Sequence, residues 1–323
     1  MKVLITGGAG FIGSNYVRWL VANTDDQITV FDALTYAGNL GTLRDVEQTA
    51  GPARYRFIHG NVCDFPALEA ALKGHDVIVH FAAESHVDRS IATPEDFVLT
   101  NCVGTNLVMH TARRAGIERI VHISTDEVYG SVPEGSSKEI DQLEPRSPYS
   151  ASKAGSDLIA LSYYTTYGLP VMVTRSSNNF GPYQYPEKVI PLFVTNLLDG
   201  LRVPLYGDGL NVRDWCYVDD NCAAIDLVLR HGAEGEVYNI GGGTEIPNRQ
   251  LTDVLLSLCG VGDEMVDYVT DRLGHDRRYS VDSAKIRALG WAPKRGLDEA
   301  LAETVAWYRD HRWWWEPLKA RDG

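Results

Sequence analysis

The stretch Lys2–Val3–Leu4–Ile5–Thr6–Gly7–Gly8–Ala9–Gly10–Phe11–Ile12–Gly13 decides the fold. Lys2–Ile5 is a short apolar run of the kind that forms a buried strand. It passes into glycines at 7, 10 and 13, a GxxGxxG spacing rather than GxGxxG, and then into a helix through Leu20. A tight turn without Cβ atoms lets backbone approach a pyrophosphate at a helix N-terminus. Gln27–Phe31 reads as a second strand ending at Asp32, 19 residues after Gly13. A carboxylate there takes the adenosine ribose hydroxyls and repels a 2′-phosphate, which favours NAD over NADP. A glycine-rich segment alone is only a turn. Strand, glycines, helix, strand and acid in that order specify a dinucleotide site.

Onward from Asp32, strands alternate with helices. Tyr55–Ile58 is a strand, with a short helix after Asp64. Val77–Phe81 is a strand leading to Ala82–Ala83–Glu84–Ser85–His86. Thr93 reads as an N-cap with Pro94 at N1 and acids in the first turn, opening a helix to about Ala115. Ile120–Val121–His122–Ile123 belongs to a fifth strand. Ser147 and Pro148 open the next helix, Gly168 ends it, and Val171–Arg175 is the sixth strand. This alternation predicts an α/β fold built on a doubly wound parallel Rossmann-type sheet. The rhythm breaks in Ser176–Pro186, which is polar and irregular and reads as a long functional loop. Beyond it, short helices mixed with short strands predict a second, smaller mixed α/β substrate lobe that closes over the first. Val237–Ile240 is placed back in the main sheet. Residues 1–175, with roughly 213–245, form the dinucleotide domain; roughly 176–212 and 246–323 form the lobe. Trp313–Trp314–Trp315 is read as pinning the C-terminus to apolar surface.

The fifth strand delivers Ser124–Thr125–Asp126–Glu127–Val128–Tyr129–Gly130. Open α/β sheets bind ligands outside the carboxyl ends of their strands, so a hydroxyl, two adjacent acids and a tyrosine there are candidate catalytic groups. Downstream, Tyr149 and Lys153 stand at helical i,i+4 spacing. On an ordinary helix face such a pair is commonplace. Beside a dinucleotide fold it is a base and the cation that lowers its pKa.

Composition sets limits on the rest. With 30 basic and 43 acidic side chains the net charge is −13, which argues against nucleic acid as a partner. No run reaches the ~18 apolar residues of a membrane span, so no membrane partner is expected. The cysteines (63, 102, 216, 222 and 259) are scattered without a CxxC pair and predict reduced thiols in a cytoplasmic protein. The histidines are dispersed, and no metal is expected.

The glycine stretch with Tyr149-x-x-x-Lys153 resembles the extended short-chain dehydrogenase/reductase superfamily. Thr125–Asp126–Glu127–Val128–Tyr129–Gly130, Leu34–Thr35–Tyr36–Ala37–Gly38–Asn39, His80–Ser90, Asn178–Asn179-x-Gly181–Pro182–Tyr183–Gln184 and Pro186–Glu187–Lys188 narrow it. Over essentially the whole chain these are similar to the dTDP-glucose 4,6-dehydratases. Sugar-nucleotide epimerases of the superfamily share the glycines and the Tyr/Lys pair but not usually the Thr-Asp-Glu triplet. The sequence departs from the pattern at Ala33, Asn61, Ser176 and Phe180. Asn61 replaces an acid expected near the adenine but still accepts a hydrogen bond.

The resemblance implies NAD as cofactor, dTDP-glucose as substrate and a homodimer paired through helices near 95–115 and 148–167, with Ala151, Ala154 and Leu158 permitting close packing. It implies oxidation at C4 by Tyr149 and Lys153, then loss of water across C5–C6. Glu127 would be the base at C5, Asp126 the acid at the C6 oxygen and Thr125 a donor to the C4 oxygen. For the cofactor it implies Gly7, Gly10, Phe11, Ile12, Gly13, Asp32, Leu34, Thr35, Asn61 and Val62. Phe81, Ala82, Ala83, Ser85, Thr100 and Asn179 complete that set with Tyr149 and Lys153. For the substrate it implies Ser85, Thr125, Asn178, Lys188, Val189, Ile190, Pro191, Pro204, Tyr206, Arg213, Asn248, Arg272, His275 and Tyr279. His86 and Asp88 are given a structural role.

Overall fold

The computed structural model of the protein describes residues 1–322. Strands β1 (Lys2–Thr6), β2 (Gln27–Asp32), β3 (Tyr55–His59), β4 (Val77–His80), β5 (Arg119–Thr125) and β6 (Val171–Ser176) run parallel. After them come β7 (Asn178–Phe180), β8 (Val203–Tyr206), β9 (Val212–Tyr217), β10 (Val237–Ile240), β11 (Glu245–Pro247) and β12 (Val266–Val269). The main sheet has seven strands in the order β10-β6-β5-β4-β1-β2-β3, the doubly wound order with β10 added beside β6. Both faces are covered. The helices Phe11–Asn23 and Val218–His231 bury Val17, Leu20, Ile225 and Leu229 on one side. Phe65–Leu72, Thr105–Ala115 and Pro148–Tyr167 bury Leu68, Val108 and Ala160 on the other. Burial on two faces explains why β1 and β4 read as continuous apolar runs rather than alternating ones.

The fold is the Rossmann-type sheet with a smaller lobe that the sequence predicts. The chain leaves the main sheet after β6 and builds a three-stranded sheet, β11-β9-β7, and a parallel pair, β12-β8. It returns with the helix Val218–His231 and with β10, which pairs with β6 as expected. The lobe has its own core, where Phe193, Leu251, Leu301, Trp314 and Trp315 meet. Trp314 and Trp315 thus anchor the C-terminal helix Arg312–Asp322, while Trp313 stays half exposed.

Three local differences from the sequence reading have physical reasons. The helix expected over about 95–115 is interrupted: Pro94–Phe97 and Thr105–Ala115 flank a π-helical segment, Val98–Gly104. At its centre the Asn101 side chain accepts from Glu84 N (2.8 Å) and donates to Glu84 O and to Ser152 Oγ. The wider turn is associated with those bonds, and such bulges recur at functional sites. Thr93 is the N-cap residue with Pro94 following it, as expected, but its hydroxyl makes no capping bond and instead donates back to Arg89 O of the preceding helix, Val87–Ala92. The stretch Ser176–Pro186 is not all loop, since Asn178–Phe180 is strand β7 paired with β9.

Candidate active site

The dinucleotide cleft opens at the carboxyl ends of β1, β2 and β4. Gly7 has φ +71° and its absent Cβ would stand 2.5 Å from Ala82 N. A Cβ on Gly13 would stand 2.4 Å from Gly7 O. Only glycine lets β1, the turn and the segment after β4 come this close. Gly10 N-caps the helix Phe11–Asn23 without a side-chain cap, so the cradle is made of backbone alone. That suits a pyrophosphate at the helix N-terminus. Asp32 ends β2; its carboxylate accepts from Ala9 N (2.9 Å) and Leu34 N (2.8 Å). Burial raises its pKa, and those two backbone bonds pull it back. The cleft wall continues through Thr35, Asn61, Val62, Phe81, Ala82, Ala83, Ser85 and Thr100 to Tyr149 and Lys153. Asn61 spends its carbonyl oxygen on Cys63 N (2.8 Å), which leaves its amide group as the polar face of that wall. A glycine cradle, an uncapped helix end and an acid at the second strand fit a dinucleotide such as NAD.

Tyr149 and Lys153 stand one turn apart on the helix Pro148–Tyr167. A capping box between Ser147 and Ser150 fixes its start. Lys153 Nζ donates to Ile123 O at 2.7 Å. Burial brings its pKa down to about 8, against the pull of Asp157 and Cys102. Burial, and then the charge of Glu127, push the Tyr149 phenol well up. The strongest influence drawing it down is the hydrogen bond with Thr125.

The two adjacent acids lie at the end of β5 in a 3-10 turn capped by the Thr125 hydroxyl, which accepts from Glu127 N. They meet different surroundings. Asp126 is 3% exposed and its Oδ2 has no hydrogen-bond partner. Burial raises its pKa well above the carboxylate range, and Glu127 and Asp214 add to the rise. Arg213 and the Thr125 hydroxyl oppose it. Glu127 is raised by burial too, but Arg272, Lys188 and Arg213, in that order, hold it down. Two of these cations belong to built sites. Lys188 Nζ donates to Ser85 O (2.7 Å). Arg213 donates to Asp276 O (2.9 Å) and lies 4.2 Å from the centroid of the Tyr279 ring. The Tyr279 hydroxyl is fixed by Asp276 (2.8 Å). His275 meets Asp271 at 2.6 Å and stands edge-on to Tyr206, near the half-exposed end of β8.

Several sequence-predicted residues sit away from the cleft wall. Leu34, at φ +52°, packs on the main core. Ile190 is fully buried in the lobe core beside Phe193, and Val189 and Pro191 share its helix. Pro204 lies in β8. Asn178 and Asn179 lie in β7, and Asn248 opens the helix Asn248–Cys259. Each of the three asparagines has a buried side-chain carbonyl oxygen without a hydrogen-bond partner. The structure adds cleft residues that the sequence reading missed as binding groups. Glu84 comes with the Ser85 segment, and Tyr183, Gln184, Tyr185 and Glu187 come from the second lobe. Glu84, Tyr183, Gln184 and Glu187 lie within the motifs that carry the resemblance, which the sequence reading used for the family rather than for binding, and Tyr185 lies in the polar, aromatic stretch around 176–186. His86 caps the helix Val87–Ala92, accepting from Arg89 N.

A Rossmann half that carries its Tyr/Lys pair on the helix after β5 and borrows cations from a second lobe has the plan of an extended short-chain dehydrogenase/reductase. Comparison with known proteins narrows the class. The GDP-mannose 4,6 dehydratase family pattern matches residues 4–304, and the chain belongs to that family. It is 56% identical over 328 residues to a dTDP-glucose 4,6-dehydratase of Streptomyces antibioticus, covering 99% of this chain and 96% of the relative. The crystal structure of DesIV, a dTDP-glucose 4,6-dehydratase from Streptomyces venezuelae with NAD and TYD bound, superposes with a TM-score of 0.96 at 56% identity. That match covers 98% of this chain and 100% of the other. A UDP-glucose 4-epimerase from Thermus thermophilus in complex with NAD has a TM-score of 0.89 at 32% identity, over 96% of this chain and 100% of that one.

Proposed function

We propose that the protein is an NAD-dependent dTDP-glucose 4,6-dehydratase that converts dTDP-glucose to its 4-keto-6-deoxy product. The observation that carries the reading is the unequal setting of the acid pair. Burial and two further carboxylates push Asp126 toward its protonated form, whereas at Glu127 the rise that burial imposes is opposed by three cations. An elimination needs one acid and one base, and neighbouring carboxylates in unequal surroundings provide them.

The C5 hydrogen of glucose becomes acidic only when C4 is a ketone. Bound NAD, held by the glycine cradle and Asp32, supplies the hydride acceptor for C4 and the hydride donor for C6. Tyr149 takes the proton of the C4 hydroxyl, Lys153 favours the phenolate by its charge, and Thr125 donates a hydrogen bond to the C4 oxygen. Glu127 removes the C5 proton. Asp126 protonates the departing C6 oxygen, which leaves as water, and the proton held by Glu127 returns to C5. Tyr149 has gained one proton and Asp126 has lost one, so the site balances after a proton passes between them. Arg213, Arg272 and Lys188 suit a diphosphate, arginine forks especially, and Pro204 and Tyr206 form the edge for the base.

The protein is further proposed to be a cytoplasmic homodimer. The unpaired cysteines suit a reducing compartment. Val98, Leu99 and Leu158 are 53%, 52% and 61% exposed and lie on the helical elements 94–115 and 148–167. They form apolar surface suited to a helical bundle between copies. Ala151 is exposed on the same helix, but Ala154 is buried among Val128 and Tyr129 and serves the interior rather than a dimer face. A monomeric mass at micromolar concentration refutes the dimer. The activity is tested with dTDP-glucose deuterated at C4. Deuterium in the new methyl group is the expected result, and a parallel reaction in heavy water should place solvent deuterium at C5, because the proton on the Glu127 carboxyl exchanges with water. Deuterium lost to water, or dTDP-galactose as product, overturns the assignment.

A further inference from the structure

Two segments face each other over the dinucleotide cleft. One is the lip that follows β2, where Thr35, Ala37 and Gly38 form part of the wall. The other is the Tyr183–Lys188 segment of the second lobe. Tyr36, between the wall residues of the lip, bridges the two. Its hydroxyl donates to Glu187 Oε1 at 3.0 Å. Its ring stands edge-on to Tyr185 at 5.6 Å and carries the Arg89 guanidinium 3.9 Å from its centroid. The other carboxylate oxygen of Glu187 lies 3.7 Å from His86 Nε2. Next to it, Lys188 Nζ donates to Ser85 O. The lip is itself tied down, through Leu34 N on Asp32, Gly38 N on Thr35 O and Asn39 N on Ala9 O. Movement of the lip away from the lobe therefore has to break the Tyr36–Glu187 contact.

We propose that Tyr36 and Glu187 are positioning residues that strap the lip to the second lobe and hold the dinucleotide in its cleft through the whole of turnover. The inference rests on the NAD-dependent reading above. In that reaction the hydride taken from C4 goes back to the same sugar. A cofactor lost between the two transfers strands a half-finished intermediate, so slow release has a chemical purpose. Tyr36 is suited to the task because it spans the gap without taking space in the cleft.

The test measures NAD+ and NADH dissociation from the holoenzyme, without sugar nucleotide, by stopped-flow with a competing dinucleotide as trap. Tyr36→Phe keeps the ring on Arg89 and Tyr185 and removes the hydroxyl with its bonds to Glu187 and Ser85. About tenfold faster release is expected, as befits one hydrogen bond to a charged acceptor. Glu187→Gln should also speed release, and combining it with Tyr36→Phe should add little, because the two act through one contact. In turnover with C4-deuterated dTDP-glucose and excess unlabelled NADH, Tyr36→Phe should lose deuterium from the methyl group while the parent enzyme keeps it. Release rates equal to the parent's, or fully additive effects of the two substitutions, overturn the strap. The trap experiment does not involve the sugar. A protein that binds NAD but leaves dTDP-glucose untouched sinks the dehydratase reading and leaves the strap to be decided by the off-rates.

Discussion

Asp157→Asn is expected to move the alkaline limb of the pH–rate profile to lower pH. Lys153 is buried, titrates near 8, and has Asp157 as the largest influence that keeps its proton on. The other groups around it do not replace that charge. Burial holds His80 and His122 below their usual range, Cys102 is a thiol whose pKa is raised, and Arg175 is a further cation. Lys153 and Asp157 stand one helical turn apart, about 6 Å between Cβ atoms, so at an effective dielectric of about 20 their attraction is worth about 3 kcal/mol. Arg175 Nε at 2.9 Å already neutralises part of the Asp157 field, so the expected displacement is about 1 to 2 pH units. The sign follows from which form works. The charged ammonium assists Tyr149, so the rate falls as pH rises through the Lys153 pKa, and lowering that pKa brings the fall to lower pH. Asparagine still offers an acceptor to Arg175, which limits the structural damage. The assay is the initial rate at saturating cofactor and substrate across neutral and alkaline pH, with thermal melting in parallel. A lower rate or melting temperature with an unmoved alkaline limb refutes the reasoning, because it leaves Asp157 only a packing role.

Glu127→Gln should lower kcat by about 10²- to 10⁴-fold, the usual worth of a positioned base. Asp126→Asn should cost less, since an amide still donates a hydrogen bond to the leaving oxygen; single-turnover formation of the 4-keto-6-deoxy product measures both. Asp32→Ala removes the acceptor of Ala9 N and Leu34 N together with a repulsive charge. NAD+ affinity should fall about 10- to 100-fold, with a smaller preference over NADP+, by isothermal titration. Trp315→Ala empties a fully buried site and loses the bond from its indole N–H to Tyr308 O. Urea unfolding should show about 3 to 5 kcal/mol of lost stability.

Local chemistry made much of the fold and part of the site readable in the sequence. Gly7 and Gly13 are needed because neighbouring backbone leaves no room for a Cβ, so the turn, the helix and Asp32 can be inferred from a short window. Tyr149 and Lys153 fall on one helix face by spacing alone. What could not be read depends on partners distant in the chain. The π-helical turn at Val98–Gly104 is tied to the bonds of Asn101 with Glu84 and Ser152. Strand β7 forms only because β9 supplies its edge. Tyr36 and Glu187 each look like ordinary loop residues until the second lobe brings them together. Asp214 carries no motif of its own, yet its charge adds to the rise that burial and Glu127 impose on the Asp126 pKa.

The acid pair shows why the second lobe matters to chemistry carried on the first. Asp126 and Glu127 are consecutive residues of one turn, so backbone alone gives them nearly the same place. Their difference comes from what faces each. Asp214, on β9, adds to the negative field at Asp126, whereas Arg272, Lys188 and Arg213 oppose it at Glu127. Those same cations are the ones suited to the diphosphate of the substrate. When a diphosphate engages them, part of their field on Glu127 is cancelled. The Glu127 pKa then rises, and a carboxylate of higher pKa is the stronger base. Before binding, the cations oppose the rise that burial imposes on the Glu127 pKa. On the proposed roles, the charge that the substrate brings would then strengthen Glu127 at the moment the C5 proton has to be taken. Asp126 has Glu127 and Asp214 beside it, with Arg213 opposing them, and added negative charge favours its protonated form further. On those roles, one binding event would move both groups in the direction the elimination requires.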